Sequence, residues 1–188
     1  ETLTFGSGVS AAGLTIMSSS STRVQVTGGV YFDNAGTLDG LTLQDLYITG
    51  ESTSGTTINM ANNGEVSNLT MSNCVIDGEN APGRNAWRGK HLSQTMTMTG
   101  CEIKDSLGWS VFDMGANALP SATSPPLTHV TFSNNHFHHL NGSISVRGHT
   151  TPTALVTVTG NTWDHIGDGS SVAQNWACIE VNKAVSVV

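Results

Sequence analysis

The sequence predicts an all-β fold, a right-handed parallel β-helix of about six to seven coils with roughly 27 residues per coil. Three observations predict it. First, an apolar–Thr–apolar stretch, a small polar bend and a second apolar stretch recur along the chain. They read Leu41-Thr42-Leu43-Gln44-Asp45-Leu46-Tyr47-Ile48, then Leu69-Thr70-Met71-Ser72-Asn73-Cys74-Val75-Ile76. The same phrase returns at Thr97–Ile103, Thr131–Phe137 and Thr157–Trp163. Second, the bend always falls on a residue that tolerates left-handed backbone angles: Asp45, Asn73, Gly100, Asn134 and Gly160. Third, helical patterning is nearly absent, because no window repeats apolar residues at three and four without a Gly, Pro or Asn break.

The coils follow in order. Leu14-Thr15-Ile16 is a fainter first copy, and Val185-Ser186-Val187 is read as the start of a last one. With the apolar residue before each bend as anchor, the series is Ile16, Leu43, Met71, Met98, Phe132, Val158 and Val185. A period of this size makes each unit one coil that buries its apolar face only by stacking on its neighbours. These anchors should form one inward stack, and Ile48, Ile76, Ile103, Phe137 and Trp163 another. Each unit also carries a second alternating segment, as in Thr57–Met60, Ser110–Met114, Ser143–Arg147 and Cys178–Val181. Alternation turns Ile58, Met60, Ile144, Val146, Ile179 and Val181 inward, and Asn59, Ser145 and Glu180 toward solvent. The one long unit lies between Met98 and Phe132. Its residues 117–126 hold three prolines among small residues and are expected to protrude as a loop.

Composition bounds the function. One domain spans residues 1–188, long enough for a real core. Charged residues make up only 11%, and the net charge of −7 with seven Lys and Arg argues against a nucleic-acid groove. No apolar run reaches the roughly 18 residues of a membrane span. The chain begins without Met or a signal peptide, so it is expected to be a processed or excised part of a larger protein. Neither end shows a capping helix, so another domain or self-association through the coil ends is expected to cover them. Asn68 and Asn141 head glycosylation sequons, which matter only in a eukaryotic source.

Cys74 and Cys101 are equivalent in the repeat and should stack on adjacent coils, with Cys178 on a different column. A strand spacing of about 4.8 Å permits a disulfide and equally permits two buried free thiols. Histidines are enriched at His136, His138, His139 and His165. His139 and His165 are equivalent positions, which suits transition-metal binding or titration near neutral pH, or simply a solvated polar column.

Segments such as Val130-Thr131-Phe132-Ser133-Asn134-Asn135-His136-Phe137-His138 and Val156-Thr157-Val158-Thr159-Gly160-Asn161-Thr162-Trp163 resemble the pectate-lyase-like superfamily of right-handed β-helices. The last repeats, followed by Ser145-Val146-Arg147-Gly148, look most like its chondroitinase-B and alginate-lyase branch. The resemblance covers nearly the whole chain but rests on scaffold motifs. It implies an extracellular or cell-surface protein acting on polysaccharide. The superfamily's catalytic patterns do not transfer: Arg147 matches the second Arg of an Arg-x-Pro-x-x-Arg pattern, but Gly142 and Ile144 replace the first Arg and the Pro.

What remains is a basic segment, Arg84, Arg88, Lys90 and His91, read as one loop, with Arg147 and His149 two coils later. Asp113 and Glu180 fall on neighbouring coils, so Arg88, Asp113, Arg147 and Glu180 are expected to share one face. Elimination on an acidic sugar needs a base near C5 and a counter-charge for the uronate. Arg147 or Lys90 would serve as base, with Asp113 and Glu180 holding Ca²⁺. Arg84, Arg88, His91, Trp87 and His149 would contact carbohydrate, because exposed indole faces stack on sugar rings. Trp163 takes a core slot, whereas Trp87 and Trp176 have loop-like surroundings. Two functions stay open: a polysaccharide-engaging module, lyase-like or binding-only, and a structural or adhesive β-helix without catalysis. Fold analogy alone does not choose between them.

Overall fold

The computed structural model describes residues 1–6, 10–32, 37–52, 55–60, 65–89, 92–108, 110–114, 127–147, 154–167, 179–182 and 185–187. Residues 89, 110–114, 143–147, 154, 179–182 and 185–187 are described by their backbone. The chain winds through three sheets in which every strand pair is parallel, and the described residues contain no helix. Sheet A stacks Leu3–Phe5, Val30–Phe32, Thr56–Met60, Asn85–Gly89, Ser110–Met114, Ser143–Arg147 and Ile179–Asn182. Sheet B runs from Ala11–Ala12 and Thr15–Met17 through Thr37–Asp39 and Thr42–Gln44, then Glu65–Ser72, Leu92–Thr99 and Leu127–Ser133, to Ala154–Thr159 and Val185–Val187. Sheet C stacks Val24–Val26, Leu46–Thr49, Val75–Asp77, Glu102–Ser106, His136–Leu140 and Thr162–Ile166. Each circuit passes A, B and C in turn, which defines a parallel β-solenoid.

The register follows the repeat. Ile16, Leu43, Met71, Met98, Phe132 and Val158 are successive partners in sheet B. Val26, Ile48, Ile76, Ile103, Phe137 and Trp163 are successive partners in sheet C. A third column, Leu3, Val30, Ile58, Trp87, Phe112, Ile144 and Ile179, lines sheet A. Central members of the first two columns are closed off from solvent, and Phe137 stacks on Trp163 with ring centroids 4.3 Å apart. Val185 departs from the expected register. It pairs with Ala154 and Val187 with Val156, so Val185 sits four positions ahead of the Val158 anchor. Along the chain the step from sheet C to sheet A is longer from Ile166 to Ile179 than from Leu140 to Ser143 one coil earlier, so counting forward from Val158 at a fixed period stops short of the equivalent position.

The bend between sheets B and C is the constant part of the coil. Asp45, Asn73, Gly100, Asn134 and Gly160 all have φ between 51° and 64°. A left-handed residue turns the chain through the corner in one step. The bend N–H groups of Asp45, Asn73, Gly100 and Asn134 each donate to a carbonyl of the next coil, so the ladder runs unbroken around the corner. Inside the corner, buried Asn135 accepts from the Cys101 N–H at 2.8 Å and donates to the Met98 carbonyl at 3.0 Å. It also donates to Asn161 Oδ1, and Asn161 donates to the Phe132 carbonyl. A coil that buried these backbone groups without such partners would lose the cost of desolvating each one.

Cys74 and Cys101 occupy the same corner as free, buried thiols. The Cys74 N–H points at Cys101 Sγ, 3.4 Å away, which places them on adjacent coils as the repeat requires. The neighbouring thiol, together with burial, pushes the Cys101 thiol far above the ordinary range. Cys178 and the 117–126 segment lie outside the described residues.

Candidate functional site

Sheet A carries the predicted row. Arg88 pairs with Asn59 on one side and Asp113 on the other, Asp113 pairs with Ser145, and Ser145 with Glu180. Arg147 lies two residues beyond Ser145 on the same strand, beside Asn182. Arg88 and Asp113 therefore lie about 4.8 Å apart along the stack, and Asp113 and Glu180 about 10 Å apart with Ser145 between them. Lys90, His91 and His149 lie outside the described residues, as do Trp109 and Trp176.

Three sequence readings on this side are corrected. Trp87 is not in a loop: it lies on the strand Asn85–Gly89, in register with Ile58, and is 0% exposed. Its indole fills the core, so no face is left to stack on a sugar. The polar neighbours Asn85 and Arg88 suggested a loop, but alternation points Trp87 inward. Arg84 is not part of an open basic patch. Its Nη1 donates to Glu79 Oε2 at 2.6 Å and its Nη2 lies 3.8 Å from Glu51 Oε2, so two acids balance its charge. Asn59 does not face solvent either; flanked in register by Tyr31 and Arg88, it is only 2% exposed.

Sheet C carries a second polar face that alternation alone hides. Asp105, His139 and His165 have φ of 54°, 51° and 49° at equivalent positions near the end of the strand. One left-handed residue breaks the two-residue period, so adjacent side chains lie outward together. Phe137 and Leu140 are buried, whereas His138 and His139 between them are both partly exposed. The columns Asp77–Lys104–His138–Asp164 and Glu102–His136 then lie side by side.

These side chains form a connected network. The Tyr47 hydroxyl donates to Asp77 Oδ2, which lies 3.5 Å from Lys104 Nζ. Burial alone would lower the Lys104 pKa, but Asp77, Tyr47, Glu102 and Asp105 outweigh it and raise the value. The bond to Asp77, with burial, raises the Tyr47 phenol. His138 Nε2 donates to Glu102 Oε1 at 2.9 Å. In neutral His138 this leaves Nδ1 bare, so His139 Nδ1, 2.9 Å away, must hold the shared proton. His139 stacks on His165 at 4.8 Å, and His165 Nδ1 lies 2.7 Å from Asp164 Oδ1. That hydrogen bond holds the Asp164 carboxyl below its ordinary value. Among the described residues no three His, Cys, Asp or Glu side chains are placed to hold a metal ion. The His139–His165 column is a stack of rings joined to carboxylates.

At the first coils sheet C opens into a cleft of about 680 Å³ lined by Ser21, Thr22, Arg23, Gln25, Asp45, Tyr47 and Asn73. Its wall is built by Ser18, whose buried hydroxyl donates to the Thr22 carbonyl at 2.6 Å and accepts from the Ser20 N–H. Arg23 then arches over one coil to the bend of the next, where Nε donates to the Asn73 carbonyl at 2.9 Å and Nη2 to Asn73 Oδ1 at 2.8 Å. The Asn73 amide in turn donates to Asp45 Oδ1. Sequence reasoning missed this cleft. Asp45 and Asn73 were legible as equivalent bends, but nothing local marks Arg23 as the partner of Asn73, 50 residues away.

The three parallel sheets define a parallel β-solenoid, with a polar outer face on sheet C. No known protein family, curated protein or solved structure matches the chain. Among the described residues no helix is long and apolar enough to cross a membrane.

Proposed function

We propose that this chain is an extracellular β-helix module that engages polysaccharide along the outer face of sheet A. The observation that carries the reading is the register that lines up Arg88, Asp113, Ser145 and Glu180, with Arg147 two residues further along the same strand. A solenoid face repeats its polar groups every ~4.8 Å, which suits a ligand that is itself a chain of similar units. One cation, Arg88, followed in register by Asp113, Ser145 and Glu180 offers both a donor and acceptors to the hydroxyls of such a ligand.

A lyase-like version assigns the base to Arg147 or Lys90. The base removes the C5 proton of a uronate, the C4–O bond to the leaving sugar breaks, and a 4,5-double bond forms. Asp113, Ser145 and Glu180 make an all-oxygen column of the donor type that calcium takes, and a bound ion would supply counter-charge to the uronate carboxylate. A base of such high ordinary pKa needs positive neighbours to lose its proton. Arg84, neutralised by Glu79 and Glu51, does not supply that charge. The binding-only version is therefore the stronger one.

Glycan-array binding of the wild-type chain against Arg88→Ala, with absorbance of the unsaturated uronate product on pectate, alginate and chondroitin, tests both. Binding reduced about tenfold or more in Arg88→Ala without product formation is expected for the binding module. Product formation lost in Arg147→Ala would make it a lyase. Absence of any glycan binding would favour the structural reading, which has its own support: Met17 and Val24, 52% and 48% exposed, lie on the first coil. In that case light scattering should show concentration-dependent association that Met17→Glu and Val24→Glu abolish.

A further inference from the structure

The cleft at the first coils of sheet C lies on a different face from the row assigned above, and its chemistry is more specific. Arg23 and Asp45 line it together, yet the two charges do not pair with each other. Each is held by the same neutral amide: Asn73 accepts from Arg23 and donates to Asp45. Asn73 therefore keeps a donor and an acceptor of opposite charge at fixed separation on one wall. With its Nε and Nη2 on Asn73, the guanidinium makes no ion pair among the described residues, which leaves Nη1 to a ligand. Asp45 accepts from Asn73 through Oδ1 and from Gln44 through Oδ2, and each carboxylate oxygen retains a further lone pair. Tyr47 lines the same cleft, half-buried, its hydroxyl bonded to Asp77, which helps hold the ring.

A sugar hydroxyl is donor and acceptor at once, so adjacent hydroxyls on a ring satisfy a fixed donor and a fixed acceptor together. The C–H face of the same ring packs on an aromatic side chain. Arg23 and Asp45 sum to zero charge, and a uronate carboxylate placed against Arg23 would also meet Asp45. We infer that this cleft is a subsite for one neutral hexopyranose unit, with adjacent hydroxyls bridging Arg23 and Asp45 and the ring lying on Tyr47. This rests on the reading of the chain as a polysaccharide-engaging module. It names the ligand class at a face that module was not assigned.

The test is calorimetric titration and saturation-transfer NMR with neutral oligosaccharides (cello-, manno- and xylo-hexaose) and uronic ones (oligogalacturonate, oligoalginate). It uses the wild-type chain, Arg23→Gln, Tyr47→Ala and Tyr47→Phe. A neutral hexaose should bind the wild type about tenfold or more tighter than Arg23→Gln, the loss of one charge-assisted hydrogen bond. It should be weakened by Tyr47→Ala and retained by Tyr47→Phe, which keeps the ring. Arg23 is exposed, so Arg23→Gln keeps the test valid even where Tyr47→Ala unfolds the coil. Neutral binding unchanged in both Arg23→Gln and Tyr47→Ala overturns the cleft while leaving the module a glycan binder. Uronic oligosaccharides binding there in place of neutral ones overturns the ligand class. No binding of any oligosaccharide to the wild type removes the broader reading, and the subsite with it.

Discussion

Ile16 and Met71 hold the same position in the repeat, one coil apart from Leu43 on either side, yet their surroundings differ. Met71 is closed off from solvent between Leu43 and Met98, whereas among the described residues Ile16 is stacked on one side, by Leu43, and is half-exposed. Met17 and Val24 on the same first coil are the exposed large hydrophobics of the described chain. The local pattern is alike in the two regions, so the difference comes from neighbours. In a solenoid a residue's burial is a property of the coil stacked on it, and stability is a sum over such interfaces.

The largest effect that would sharpen the comparison is truncation of the central stack. Phe132→Ala, buried between Met98 and Val158, should cost roughly 3–5 kcal/mol, and Ile16→Ala about 1–2 kcal/mol at the half-covered edge. Urea unfolding of the two variants measures this, and equal losses would break the link between stacking and burial.

Next is the buried corner. Asn135→Ala removes the acceptor of the Cys101 N–H and a donor to the Met98 carbonyl, and should cost about 2–3 kcal/mol. A thermal melt indistinguishable from wild type would mean that water replaces the amide.

Backbone strain separates the same two regions. Gly50 has φ of 83°, and a Cβ there would collide with the Thr27 carbonyl oxygen of the preceding coil. Gly13 has φ of 65° with nothing within 4 Å. Gly50→Ala should destabilise by about 2–3 kcal/mol and Gly13→Ala by about 1 kcal/mol. Similar values in denaturant titration would show that the stacked coil yields as readily as the edge.

The smallest effect is electrostatic. The folded Asp164 carboxyl lies below its ordinary value of 3.8 because His165 donates to it. A lowered carboxyl contributes stability that is fully present above its unfolded value and lost as pH falls through the folded one. The small gap between wild type and Asp164→Asn at pH 5 should therefore close below pH 3.8. A gap that stays constant with pH would mean that the ring stack, rather than the carboxylate, holds His165.

Much of the fold was legible in the residues. The period placed Met71 against Met98 and Cys74 beside Cys101, because equal coil lengths bring equal positions into register. Asp45, Asn73 and Asn134 marked left-handed bends, because only a few side chains accept that conformation. Val185 escaped this logic, since a fixed period cannot anticipate the length of the connection between sheets C and A. The candidate sites were less legible. The row Arg88–Asp113–Glu180 followed from counting, but the inward turn of Trp87 and the pairing of Arg84 with Glu79 did not.

By itself the sequence determined the parallel stack, the inward columns and the position of the corner, because each depends on periodicity and on backbone angles that individual residues permit. The tertiary structure alone decided which polar groups meet. It set His138 and His139 outward together through one left-handed residue, and it brought Arg23 to Asn73 across 50 residues of chain. Side chains on different coils touch only after stacking, at distances fixed by strand spacing rather than by separation along the chain, so no local pattern records them.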